Sequence, residues 1–470
     1  MKQMRKKFWI VALLVSMMNV LLSPISFVYA DEAGSNRPSY QIEATYFEKQ
    51  EIVKGHMSVK VPVSKPTKEL YFRLYPNVFK QWKYNQEAKP TKAGYITVTN
   101  VKANGATSNV NIKDTVMKVS LPKALSSGQV VTVELDYQLF LPHGGTRLNK
   151  YKNTAFLAQW YPMLAVRDRE GWHTEPYTTT GDPFYSVMSD FQVTFHVPRG
   201  YYVISTAKDI HRTQQTVRLT QKNVRDFAAV ISKDYQVVSK NSGKIKVNLW
   251  YTDSTKDVSK PLLDAAVDGM HFYSQRFGAY PYDEVDVVLG ETGFGIAGME
   301  YPGLVTSLPK IPTTKGVAPA VNVVVHELAH QWWYGVVGNN QAKEPWLDEG
   351  LTSFSEFLYM QKRMKQDEQM WLKRASGKAD EIHQTAGLHS AQSLYDYPDS
   401  AYGIMVYLRP AAMMFALMDE IGEAKVMKIL STYYERYQFK IATTNDFLRI
   451  ANEVAEKDLT PFFQKWLYFR

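Results

Sequence analysis

Val323-Val324-Val325-His326-Glu327-Leu328-Ala329-His330 is the stretch on which the reading of this 470-residue chain turns. Its apolar run predicts a helix, and side chains four apart on a helix project from the same face. His326 and His330 then present two imidazoles side by side, a spacing that ligates one metal ion, with Glu327 next to them and within reach of a water on that ion. Two imidazoles leave tetrahedral zinc one protein ligand short. Glu344, Asp348, Glu349 and Glu356 lie downstream as candidates, and spacing alone does not separate Asp348 from Glu349.

Outward from this helix the chain is asymmetric. Helical patterning continues to the end, over 318–336, 349–362, 403–421, 423–437, 443–456 and 459–467, with Asp458 as an N-cap candidate for the last. A further helix is predicted over 258–277, between strand-like runs at 245–251 and 284–289. Before residue 243 the signal is strands rich in Val, Ile, Tyr, Thr and Phe: 40–48, 52–63, 69–75, 95–101, 116–121, 130–139, 191–197 and 202–206. The stretch 159–183 is irregular and crowded with Trp, Tyr, Pro and Gly, as functional loops often are. The expected architecture is a multidomain β then α+β chain. An all-β sandwich or saddle domain (31–242) precedes a mainly helical domain (243–470).

Composition narrows the chemistry. Hydrophobic residues make up 45% and charged residues 21%, which is globular. The chain has no cysteine, so disulfides, thiolate metal sites and thiol catalysis are excluded, and any metal must be held by carboxylates and the ten histidines. The net charge of +9 is mild, and no basic run interleaved with aromatics argues for nucleic acid. Lys2, Arg5, Lys6 and Lys7 precede an apolar run from Phe8 to Leu22, then Pro24 and the small-residue pattern Val28-Tyr29-Ala30. That is the pattern of a cleaved secretory signal over 1–30. A secreted or cell-surface protein is expected, membrane-attached only if the leader stays.

Gly293-Phe-Gly295-Ile-Ala-Gly298 satisfies a dinucleotide-binding pattern, but such a site needs a helix opening after the third glycine. Tyr301-Pro302-Gly303 follows instead, so no nucleotide is expected.

His326-Glu327-x-x-His330, then 18 residues, then Glu349 within Trp346-Leu347-Asp348-Glu349-Gly350 resembles the aminopeptidase N family of zinc metallopeptidases, which also includes leukotriene hydrolase-type enzymes. That gluzincin family takes the Glu of W-L-N-E-G as third ligand, which implies Glu349, with Asp348 here replacing Asn. Ala297-Gly298-Met299-Glu300-Tyr301 is similar to the family's G-A-M-E-N motif, which implies Gly298, Met299 and Glu300 at the substrate, Glu300 on its free α-amine. Tyr407-Leu408-Arg409-Pro410-Ala411, followed by Ile421-Gly422, resembles the segment whose Tyr stabilises the oxyanion. The resemblance further implies that Gln159 helps to bind the amine and that Asp399 and Tyr402 line the substrate pocket. Glu356, two helical turns after Glu349, is placed to receive the second ring N–H of a ligand histidine. The chain looks like a short form that ends with the catalytic domain.

The implied activity is a zinc-dependent aminopeptidase with one Zn2+ per chain, acting on peptides with a free N-terminus. Glu327 would be the general base and Tyr407 the oxyanion donor. The alternatives are an endopeptidase or other hydrolase using the same metal, and an inactive binding module.

Overall fold

Strand alternation is plainest in Val130–Phe140, where Val131, Val133, Leu135, Tyr137 and Leu139 are buried and the residues between them are not. That period of two is what a half-buried strand requires. In the computed structural model, which describes residues 37–84, 89–290, 297–308, 318–366 and 369–468, this strand lies within an eight-stranded sheet. The order is Lys208–Arg212, Thr216–Val224, Ser189–His196, Ser39–Phe47, Ile52–Pro62, Val130–Phe140, Tyr95–Ala103 and Ala106–Thr107. All neighbours are antiparallel except Ser39–Phe47 beside Ser189–His196. Two four-stranded sheets complete the β half, and its core gathers Trp160, Tyr161, Phe191 and Phe195. The leader expected at 1–30 lies outside the described residues.

The chain crosses into its second half slightly earlier than the composition suggests. Gln236–Ser242 pairs with Ile245–Tyr251, so the break expected at 243 falls in the turn of a hairpin. That hairpin edges a five-stranded mixed sheet, continued by Glu284–Leu289, Leu304–Ser307 and Gly298–Met299. Helices α1 (Lys256–Phe277) and α2 (Ala318–Ala329) pack on it, and α3 (Leu351–Tyr359), α4 (Gln369–Ala386), α5 (Arg409–Ile421), α6 (Glu423–Tyr437), α7 (Thr444–Ala455) and α8 (Thr460–Leu467) follow. A β-rich half followed by a helical half with its own sheet is the expected architecture. Gly293 and Gly295 are outside the described residues, but Gly298 opens a strand paired with Leu304–Ser307, where a dinucleotide site would need a helix.

The helix expected over 318–336 stops at Ala329. Beyond it the chain winds into turns, with Gly335 N–H donating to the His330 carbonyl at 2.8 Å. Tertiary contacts override the apolar pattern there. Trp332 and Trp333 are both fully buried; their indole N–H groups donate to the Gly278 carbonyl and the Ser355 hydroxyl, each at 2.9 Å. Asp458 accepts the Thr460 N–H at 2.9 Å at the start of α8.

Candidate active site

His326 lies in the last turn of α2 and His330 in the turn just after it, where Val324, Val325 and Leu328 pack into the helical core. The Tyr273 hydroxyl of α1 donates to the Val325 carbonyl at 3.0 Å, fixing the two helices against each other one residue before His326. Glu349 and Tyr407 come from elements of a different kind. Trp346–Gly350 and Gly403–Leu408 are both π-helical turns. Such turns carry one extra residue per turn and recur at functional sites, because they re-aim a side chain that a regular helix would misplace.

The ring tautomers can be read from their partners. His326 Nδ1 lies 3.0 Å from Glu356 Oε2, and His330 Nδ1 lies 2.7 Å from Asp348 Oδ1 and 3.2 Å from the Trp333 carbonyl. Carboxylate and carbonyl oxygens only accept, so each Nδ1 carries the proton and each Nε2 of the neutral ring exposes a lone pair. Those two Nε2 atoms are 3.2 Å apart, and Glu349 Oε2 sits 3.4 Å from one and 3.2 Å from the other. Ligands about 2.0–2.1 Å from a tetrahedral zinc would be spaced about 3.3 Å from one another. Glu349 Oε2 is moreover buried without a hydrogen-bond donor. Three electron-rich atoms crowded around one point, one of them orphaned, fit a cation and little else.

Asp348 and Glu349, which spacing leaves open, are therefore on opposite sides of His330: Asp348 on Nδ1, Glu349 on the lone-pair side. Glu344 is elsewhere, accepting the Thr444 N–H at 2.9 Å. Glu356 accepts from Asn322 at 3.1 Å as well as from His326.

The protein groups alone set an unusual electrostatic landscape. Burial disfavours charge on His326, but Glu349 and Glu356 outweigh it and push the ring up to about 10. Glu349 moves the other way: burial raises it, and the two rings overcome that and hold it well below the ordinary carboxylate range. Burial pushes Glu327 up to about 7 against the pull of both histidines. Glu300 is driven far above its usual value, first by burial and next by Asp182.

The surrounding cavity measures about 610 Å3. Its wall includes Gly298, Met299, Glu300, His326, Glu327, His330, Glu349, Glu356, Tyr402 and Tyr407 from the sequence-derived set. Gly298 is constrained by close approach, since a Cβ there would fall 2.4 Å from Glu327 Oε1. Gln331 holds the neighbouring loop. Its amide donates to the Glu300 and Tyr301 carbonyls at 3.3 and 3.1 Å, and its oxygen accepts the Gly303 N–H at 2.8 Å. Tyr407 donates to Glu349 Oε1 at 2.6 Å and stacks parallel to His326.

Two sequence candidates lie off the cavity wall. Gln159 is buried in the β half, its amide 3.5 Å from Asp226 Oδ2, which also accepts from Tyr334. Asp399 is exposed and accepts the Thr180 hydroxyl, so it fastens a loop. Conversely, Arg147 and Asp182 line the cavity and were missed in the sequence; the only signal was the irregularity of 159–183.

The model of the peptidase family M1 domain matches residues 262–466, which carry the metal-ligand set. Residues 262–466 are thus similar to the peptidase family M1 domain. Among curated relatives, Aminopeptidase 2 of Candida albicans is 22% identical over 275 residues, 55% of this chain and 29% of that protein. Puromycin-sensitive aminopeptidase of Caenorhabditis elegans is 25% identical over 255 residues, 51% of this chain and 26% of that protein. The chain thus spans little more than a quarter of the length of these relatives. The crystal structure of an M1 zinc metallopeptidase from Deinococcus radiodurans superposes with a TM-score of 0.69 at 16% identity, covering 92% of this chain and 95% of that one. The β-rich and helical halves therefore share the fold of that structure.

Proposed function

We propose that this protein is a zinc-dependent aminopeptidase that hydrolyses N-terminal residues from peptides. The observation that carries the reading is the convergence of His326 Nε2, His330 Nε2 and the orphaned Glu349 Oε2 in a cavity also lined by Glu327, Glu300 and Tyr407. A bound zinc ion would supply Lewis acidity, polarising the scissile carbonyl and easing deprotonation of the attacking water. Glu327 takes that water's proton and passes it to the leaving amine, a task suited to a carboxylate raised toward neutrality. The Tyr407 hydroxyl turns its proton from Glu349 to the developing oxyanion. Glu300 accepts from the substrate's α-ammonium, so distance from the N-terminus, rather than sequence, selects the bond. Relatives named as aminopeptidases support this, as does the Deinococcus radiodurans enzyme solved with a Tyr-Ser-Ala substrate. Export through the N-terminal leader, with action outside the cell, completes the proposal.

The test is digestion of matched peptides bearing free or acetylated N-termini, with products read by mass spectrometry. Stepwise loss of residues from the free peptides alone is expected. Internal cleavage of both would make the protein an endopeptidase and remove Glu300 from its role.

A further inference from the structure

The cavity wall lacks the residue that the sequence assigns as second partner of the substrate amine. Gln159 is not among the residues lining the cavity, and its amide lies 3.5 Å from Asp226 Oδ2. Glu300 alone leaves an ammonium group with N–H donors to spare. Asp182 lines the same cavity as Glu300. Arg147 Nη2 donates to its Oδ1 at 2.6 Å, and among the described residues no hydrogen bond reaches its other oxygen. Both residues are buried, and Arg147 sits in left-handed backbone at φ 63°, a conformation non-glycine residues keep only when the surroundings impose it.

The loop that delivers Asp182 is fastened to the helical half at three points. Tyr395 donates to the Pro176 carbonyl at 2.7 Å, and the Thr180 hydroxyl donates to Asp399. Gly181, at φ 62°, lies so close to Tyr402 that a Cβ would fall 2.2 Å from its hydroxyl oxygen. The position of Asp182 is therefore built rather than incidental. Charge balance points the same way. Among the described residues, five carboxylates (Asp182, Glu300, Glu327, Glu349 and Glu356) and one arginine line this cavity, and among charged groups Asp182 acts most strongly on Glu300. Two carboxylates that repel each other are relieved by a cation placed between them.

We infer that Asp182, held by Arg147, is the second carboxylate that binds the substrate's α-ammonium, together with Glu300. The inference rests on the aminopeptidase reading and deepens it.

Asp182→Asn tests it in the full-length zinc-loaded protein, with Ala-, Leu- and Arg-4-nitroanilides as substrates. Losing one charge-assisted contact to the amine is expected to raise KM about 10- to 100-fold for all three, with kcat changed much less. Affinity for acetohydroxamate, a metal ligand without an amine, should stay the same. Arg147→Gln, which keeps the carboxylate but frees it to rotate, should shift KM in the same direction by less. An unchanged KM in D182N, a rise confined to the Arg substrate, or equal loss of hydroxamate affinity would overturn the inference. Should the wild type cleave none of these substrates, the aminopeptidase reading fails separately. Calorimetric binding of L-leucinamide to wild type and D182N then decides on Asp182 alone, and equal affinity refutes it.

Discussion

Tyr407 shows how much a single hydroxyl is asked to do. It donates to Glu349 at 2.6 Å in the protein alone and, in the proposed mechanism, turns to the oxyanion during reaction. Tyr407→Phe should therefore lower kcat by about 100-fold or more with KM nearly unchanged, since an oxyanion donor acts chiefly in the transition state. Gly298 is the quieter test. A methyl group there must displace Glu327, so Gly298→Ala should cut turnover sharply while metal content and melting temperature hold, as measured by elemental analysis and calorimetry. The ligand helix is legible in the sequence because two histidines four apart on an apolar run admit few other uses. The choice between Asp348 and Glu349 is not legible, because adjacent residues on a π-helical turn diverge in a way that hydrophobic periodicity does not encode. Asp182 was invisible for another reason. It acts through a loop whose position depends on Thr180, Gly181 and Pro176 meeting residues more than 200 positions away.

At the scale of elements, the strand Glu284–Leu289 carries a prediction about pH. Asp286 is buried there, with Asn248 and Trp250 donating to one oxygen at 3.0 and 2.6 Å. Burial, reinforced by Glu284, pushes its carboxyl up to about 7. A carboxyl whose folded-state value is raised favours the fold most at low pH, and that contribution fades as pH rises from about 4 through about 7. Asp286→Asn keeps an acceptor for both donors and cannot ionise. It should gain about 1–3 kcal/mol over wild type at pH 8 and little at pH 4, read from urea denaturation at the two values. The long strands and helices that frame this sheet follow the periodicity of the sequence closely. Short strands such as Lys208–Arg212, exposed throughout, carry too weak an apolar pattern to announce themselves.

Across the whole molecule, the two halves are joined by buried polar contacts as well as apolar ones. Arg225 from the β half donates to the carbonyls of Tyr334 and Lys440 in the helical half and of Ser186 in its own, the last two at 2.9 and 3.0 Å. Arg225→Ala would leave three buried carbonyls without donors and should cost about 3 kcal/mol or more, seen as a lower denaturation midpoint. Because Asp182 reaches the cavity from the β half, the same variant should also weaken substrate binding. The central claim, however, is that His326, His330 and Glu349 hold one zinc ion on which Glu327 acts without being a ligand. Metal content and turnover, measured together on wild type, Glu327→Gln and Glu349→Gln, test it most directly. One zinc per chain is predicted in wild type and E327Q and a large loss in E349Q, with turnover abolished in both variants. Full zinc in E349Q, or turnover in E327Q near that of wild type, would contradict the account.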